Sequence, residues 1–249
     1  MYFRYTAEDT YYSHGFIVPF VTGFLIWQNK DILEKIPKSY SLWGLVLIFG
    51  ALVLHLISII FYFYFSSGIS IFILIIGITL FLFGKDIMKS IIFPISFLIF
   101  MFPLPTGLIN IISYPLKMNV ASMGSKLANL VGVPSFQAGF FIETSKGTLL
   151  IDNPCSGLRS LIAFTALGSL IAYSSRAAME KRVTLFALSI PVALLTNVLR
   201  VLLLICVASY YGVDAVTPDK IVHNLSGYVV FVAGGVVLLG ISRLFEWKN

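Results

Sequence analysis

Three side chains with complementary chemistry stand out from an otherwise apolar sequence: Cys155, Arg200 and His223. Cys155 lies in Asp152-Asn153-Pro154-Cys155-Ser156-Gly157-Leu158-Arg159-Ser160, where turn formers precede an apolar run. Asn153 or Asp152 suits a helix cap and Pro154 a first helical turn, so Cys155 is expected to open a helix. The dipole at that end, with Arg159 four residues on along the same face, favours a thiolate. Arg200 lies in Thr196-Asn197-Val198-Leu199-Arg200, with Asn197 as a polar neighbour one turn away. His223 lies in Ile221-Val222-His223-Asn224-Leu225-Ser226-Gly227, ahead of the last apolar run. A thiol, a base and a fixed cation are the parts of a cysteine acyl-transfer site. The thiolate attacks a carbonyl, the cation steadies the oxyanion, and the histidine moves the proton. His14, before the first apolar run, is a further candidate. Cys206 and His55 sit in apolar surroundings and read as a packing residue and a structural hydrogen-bonding residue. The three histidines are scattered without metal-ligand spacing, and neither a metal nor a cofactor is expected.

Bringing these residues together requires elements that cross a bilayer. Of the 249 residues, 58% are hydrophobic and 11% charged, against about 25% charged in a soluble domain. The reading is an all-α polytopic membrane protein, one integral domain over 1–249. The net charge of +6 is spread through short loops rather than gathered on one face, so no nucleic-acid partner is expected. Apolar runs at 15–27, 42–65, 69–83, 91–104, 156–173, 183–208 and 228–244 give seven spans, or eight if one hides two. A break is expected at 66–68. Lys30, Lys35, Lys38, Lys85, Lys89, Arg176, Lys181, Arg182, Arg243 and Lys248 fall on one side of these spans. The positive-inside rule makes that side cytoplasmic and the N-terminus external. Arg200 follows Arg182 by 18 residues, roughly 27 Å of helix. It therefore belongs at the outer edge, together with Cys155, Arg159, His223 and His14.

An outer insertion at 105–154 carries structure of its own. Leu116, Val120, Met123, Leu127 and Leu130 recur at helical spacing opposite Lys117, Asn119, Ser122, Lys126 and Asn129. That pattern predicts an amphipathic helix lying among membrane lipids at the interface. Residues 136–143 and 148–152, joined at 144–147, predict a β-hairpin that delivers the chain to Cys155.

The chain resembles the exosortase/archaeosortase family of multi-spanning membrane cysteine transpeptidases. The resemblance rests on Cys155-Ser156-Gly157-Leu158-Arg159-Ser160, on Asn197-Val198-Leu199-Arg200, and on His223 with Gly227 beyond it. It extends to Ser13-His14-Gly15 with Val18-Pro19, to Pro103-Leu104-Pro105 and to Pro115-Leu116-Lys117. The resemblance implies a catalytic set of Cys155, Arg200 and His223. Arg159, Asn197, His14, Ser156 and Asn153 are then supporting or substrate-binding. It implies substrates that are secreted proteins ending in a short motif, a transmembrane helix and a basic tail. They would be cut at the extracytoplasmic face of the plasma membrane, with a lipid or an amine as possible acceptor. Many relatives have about eight spans where seven are counted here. Arg159 competes with Arg200 for the oxyanion role. The rival reading is a transporter or channel with Arg159 and Arg200 as substrate-binding charges, although no internal repeat supports it.

Overall fold

Long apolar runs have no water to satisfy their backbone groups within a bilayer, so they close their hydrogen bonds internally as helices. The computed structural model describes residues 13–151, 155–217 and 219–247 and is mostly helical. Asp152, Asn153, Pro154 and the side chain of His14 lie outside what it describes. The chain divides into two compact units, Met1–Thr106 and Gly107–Asn249.

The first unit holds α1 (Val18–Gln28), α2 (Lys30–Leu33), α3 (Trp43–Ile60), α4 (Tyr64–Ser90) and α5 (Ile92–Phe97), with 3-10 turns at Ser13–Phe16 and Leu98–Met101. The main chain of His14 lies in the first of these turns. Helices α3 and α4 approach at Gly44 and Gly77, where a Cβ on Gly77 would stand 3.0 Å from the backbone nitrogen of Ile48. Small residues at the contact are how membrane helices gain packing when lipid is as apolar as their own side chains. The break before α4 falls at 61–63, where Tyr62 has φ 57°, and not at 66–68 as expected. Ser67 and Ser70 are instead drawn into the helix. Their hydroxyls lie 3.1 and 3.2 Å from His55 Nδ1, which gives that histidine the structural role expected of it.

The second unit holds α6 (Thr106–Leu130), whose first residue falls at the boundary, and then a three-stranded antiparallel sheet. Its strands are β1 (Ser135–Ala138), β2 (Phe141–Thr144) and β3 (Gly147–Leu150). Helices α7 (Leu158–Ser174), α8 (Met179–Tyr211) and α9 (Ile221–Trp247) follow, with a 3-10 turn at Val213–Val216. The expected hairpin is thus a meander. Gly139, at φ 66°, turns the chain inside the segment expected to be its first strand. Ile142 opposite Leu149 forms the buried pair of the sheet.

Helix α6 is longer than the expected interfacial helix, and its buried face is rotated. Val120 is buried as expected, but Met123 and Leu130 are exposed. Ala121, Gly124, Ser125 and Ala128 face inward instead. The cause is the close approach to α8: a Cβ on Gly124 would lie 2.8 Å from Val201 Cγ1. Val120, Ile142, Leu149, Ile151, Val201 and Ile205 belong to one core, which also contains Cys155.

Among the described residues four helices, α3, α4, α8 and α9, are long and apolar enough to cross a membrane, and a fifth span results if α5 and α6 count as one broken crossing. Helices α1 and α7, at 11 and 17 residues, are apolar but shorter. The chain is an integral membrane protein with four to five candidate spans among its described residues, which does not establish the expected seven or eight. Helix α8, with 33 residues, is about 50 Å long, against a hydrocarbon core of about 30 Å. Its surplus length lies under the sheet, where Lys146 Nζ donates to the Tyr210 carbonyl at 2.6 Å and Ser145 Oγ to that of Ser209 at 3.3 Å. At the opposite end of the bundle, Arg182 Nε and Nη2 close the C-terminus of α7 through the Ala172 and Tyr173 carbonyls at 2.7 and 2.8 Å.

Candidate active site

Cys155 does not open the apolar helix. It is a 3-10 residue ahead of α7, whose N-cap is Gly157 in the left-handed region at φ 85°. Helical spacing therefore does not run from Cys155 to Arg159, and the expectation that the two share a helical face fails. A side chain at this φ is strained, and a Cβ would also stand 2.8 Å from Asn197 Nδ2, so glycine is demanded for two independent reasons. Ser156, fully buried, accepts the Leu158 N–H on its Oγ at 3.3 Å and serves the first turn of α7 in place of an outside cap.

His223, which the sequence places ahead of the last apolar run, occupies the first turn of α9 and is 6% exposed. Its Nε2 lies 3.8 Å from Cys155 Sγ, and its Nδ1 lies 3.1 Å from the Val216 carbonyl. A carbonyl can only accept, so Nδ1 carries a hydrogen and donates it. The Nε2 lone pair of the neutral ring then faces the thiol. This is the tautomer that takes a proton from Sγ, set by a hydrogen bond on the far side of the ring.

Arg200 is the next piece. Its Nη2 donates to the His223 carbonyl at 3.3 Å and its Nε to Ser226 Oγ at 3.5 Å. Ser226 Oγ donates to the same His223 carbonyl at 2.7 Å. The guanidinium lies against the α9 backbone at Gly227, where a Cβ would be 3.4 Å from Arg200 Cζ. Arg200 thus grips the turn that carries the histidine. Asn197, on the same face of α8, donates from Nδ2 to the Cys155 carbonyl at 3.0 Å.

Cys155, His223 and the α8 pair Asn197 and Arg200 come from three separate stretches of sequence and meet within the second unit. Cys206, half-buried in α8, packs against the core beside them. Arg159 is half-buried in the first turn of α7. The sequence reading missed Val216, whose contribution is a main-chain carbonyl, and Ser226. Ser226 had a legible signal, because it follows His223 by three residues and so shares its helical face. Among the described residues no cluster of three or more His, Cys, Asp or Glu forms a metal site.

The arrangement can generate a thiolate beside an imidazole and hold a cation within the same neighbourhood. No curated protein and no solved structure matches the chain. The family model described as transmembrane exosortase matches residues 6–240. The span holds every described residue of the site, in the order Cys155, Arg200, His223, and the chain belongs to the transmembrane exosortase family.

Proposed function

We propose that the protein is a membrane-embedded cysteine transpeptidase or endopeptidase that cleaves the C-terminal sorting signal of secreted proteins. The observation that carries this reading is the pairing of Cys155 Sγ with His223 Nε2 at 3.8 Å, with Nδ1 anchored on Val216. Nε2 takes the Sγ proton, and the thiolate attacks the carbonyl carbon of the scissile peptide, forming a C–S bond. Arg200 supplies positive charge for the oxyanion. The C–N bond breaks as Nε2–H protonates the leaving amine, which departs with the apolar helix and basic tail. The acceptor, a lipid, an amine or water, then gives its proton to Nε2 and attacks the thioester carbon; the C–S bond breaks and Nε2–H returns that proton to Sγ to restore the thiol.

The reading includes an orientation and a location, with the site at the extracytoplasmic face of the plasma membrane. Arg176, Lys181, Arg182 and Arg243 lie at the end of the α7–α9 bundle opposite Cys155, and the positive-inside rule puts that end in the cytoplasm. An impermeant maleimide added to intact cells should label a cysteine placed at Arg243 only after lysis. Labelling before lysis would reverse the orientation.

The decisive experiment pairs the enzyme with a secreted protein of the same genome that ends in a short motif, an apolar helix and an Arg-rich tail. Wild type should release the tail, while Cys155→Ala and Cys155→Ser insert normally and leave the substrate whole. Normal cleavage by Cys155→Ala would overturn the assignment. A transporter would keep its flux in the same variant.

A further inference from the structure

We infer that Asn197 is a positioning residue that fixes the nucleophile on the same helix that fixes the base. The inference rests on the reading of Cys155 as nucleophile and adds a residue that touches no reacting atom.

Asn197 and Arg200 are three residues apart on one face of α8. Asn197 Nδ2 holds the Cys155 carbonyl at 3.0 Å, and Arg200 Nη2 holds the His223 carbonyl at 3.3 Å. Each of the two turns that carry the reacting side chains is therefore pinned to α8 through its main chain. The separation of Sγ and Nε2 follows from the spacing of two side chains on a rigid helix. Asn197 is 2% exposed, so its amide has little room to drift. Gly157, lacking a Cβ at φ 85°, lets the turn settle directly onto that amide. The arrangement carries a cost as well. Asn197 Oδ1 is buried with no hydrogen-bond partner among the described residues. An apolar side chain of similar size would avoid that orphan acceptor, so an asparagine kept only for packing is a poor solution at this position. The same amide is a good solution where the Cys155 carbonyl must be held.

The test uses the full chain in nanodiscs with Cys206→Ser, which leaves Cys155 as the only thiol of the two in the sequence. The rate of Cys155 alkylation by iodoacetamide is followed across a pH series, a readout that needs no substrate. Asn197→Leu keeps approximate size and removes the amide. Asn197→Gln keeps the amide but carries it one methylene farther, and it serves where the leucine variant does not fold. In folded protein, either variant should shift the alkylation profile from that of a histidine-paired thiol towards that of an isolated one. Turnover at saturating substrate should fall about a hundredfold, the scale of a 1 Å misplacement, with KM little changed. A purely structural role would lower the yield of folded protein and leave the profile of the folded fraction as in wild type.

A folded variant with wild-type profile and wild-type turnover overturns the inference. Cys155→Ala, run in parallel, separates the two levels. Cleavage that survives Cys155→Ala overturns the nucleophile assignment itself. Loss of cleavage in Cys155→Ala, combined with full activity in both Asn197 variants, overturns the positioning role alone.

Discussion

Gly157→Ala is the smallest change that strains the site without touching a reacting group. Placing an L-residue in the left-handed region costs about 1–2 kcal/mol, and Gly157 has φ 85°. The new Cβ would also stand 2.8 Å from Asn197 Nδ2 and 3.2 Å from its Cγ. An ordinary contact needs about 3.5 Å, so the deficit is about 0.7 Å. Asn197 is packed at 2% exposure, so the Cys155 turn rather than the amide gives way. That motion lengthens an Sγ to Nε2 separation already at 3.8 Å. Scaling from about a hundredfold per ångström of misplacement, about 0.7 Å gives roughly a 25-fold loss of turnover. The assay is single-turnover cleavage of the paired substrate, with thermal unfolding of the same preparation in detergent. A Tm lowered by a few degrees and a turnover lowered by tens-fold are expected together. Wild-type turnover in a folded variant would refute the reasoning, because it would mean that the Cys155 turn does not set the geometry. A lowered Tm with unchanged turnover would refute it in the same way and leave only the backbone cost.

Arg200→Ala should lower turnover by about 3–4 kcal/mol of transition-state stabilisation, the scale of one lost oxyanion donor. Arg200→Lys should restore only part of it, because lysine lacks the planar fork with which Nε and Nη2 meet Ser226 Oγ and the His223 carbonyl; full rescue by lysine would show that charge alone matters. Arg182→Met should destabilise the protein by about 2–3 kcal/mol through the two lost bonds to the α7 C-terminus, read as a lower Tm, while per-molecule turnover of the folded fraction stays near wild type.

The membrane class and the long helices were legible because they follow from composition and run length, which bilayer physics reads directly. Helices α4, α8 and α9 contain the runs expected of them, whereas the run expected at 42–65 overshoots α3, which ends at Ile60. Element ends were less legible. The chain breaks at Tyr62 rather than at 66–68 because Ser67 and Ser70 find His55 across the helix pair, a tertiary partner that local serine and glycine propensity does not anticipate. The meander was read as a hairpin because Gly139 was not recognised as a turn residue at φ 66°. The face of α6 was misread for a related reason. Hydrophobic periodicity selects the largest side chains, whereas the contact with α8 is built from Gly124 and its small neighbours, as close helix approach in a membrane requires.

At the site, the side-chain types could be read from the sequence, but the attachments could not. Cysteine, arginine and histidine announce their chemistry by name. The groups that orient them are mostly main-chain carbonyls: that of Val216 for the ring of His223, that of His223 for Arg200, and that of Cys155 for Asn197. Every residue has a carbonyl, so no residue type marks these positions. Gly157 is the exception, because it marks where a backbone must lie against Asn197 with no Cβ between. Arg159 shows the converse error. Its spacing from Cys155 implied a shared helical face, yet one left-handed residue between them separates the two. A positive-φ glycine inside a candidate motif therefore breaks any periodicity argument drawn across it, and the partner is better sought on whichever helix that glycine packs against. For this chain that helix is α8, which carries both Asn197 and Arg200.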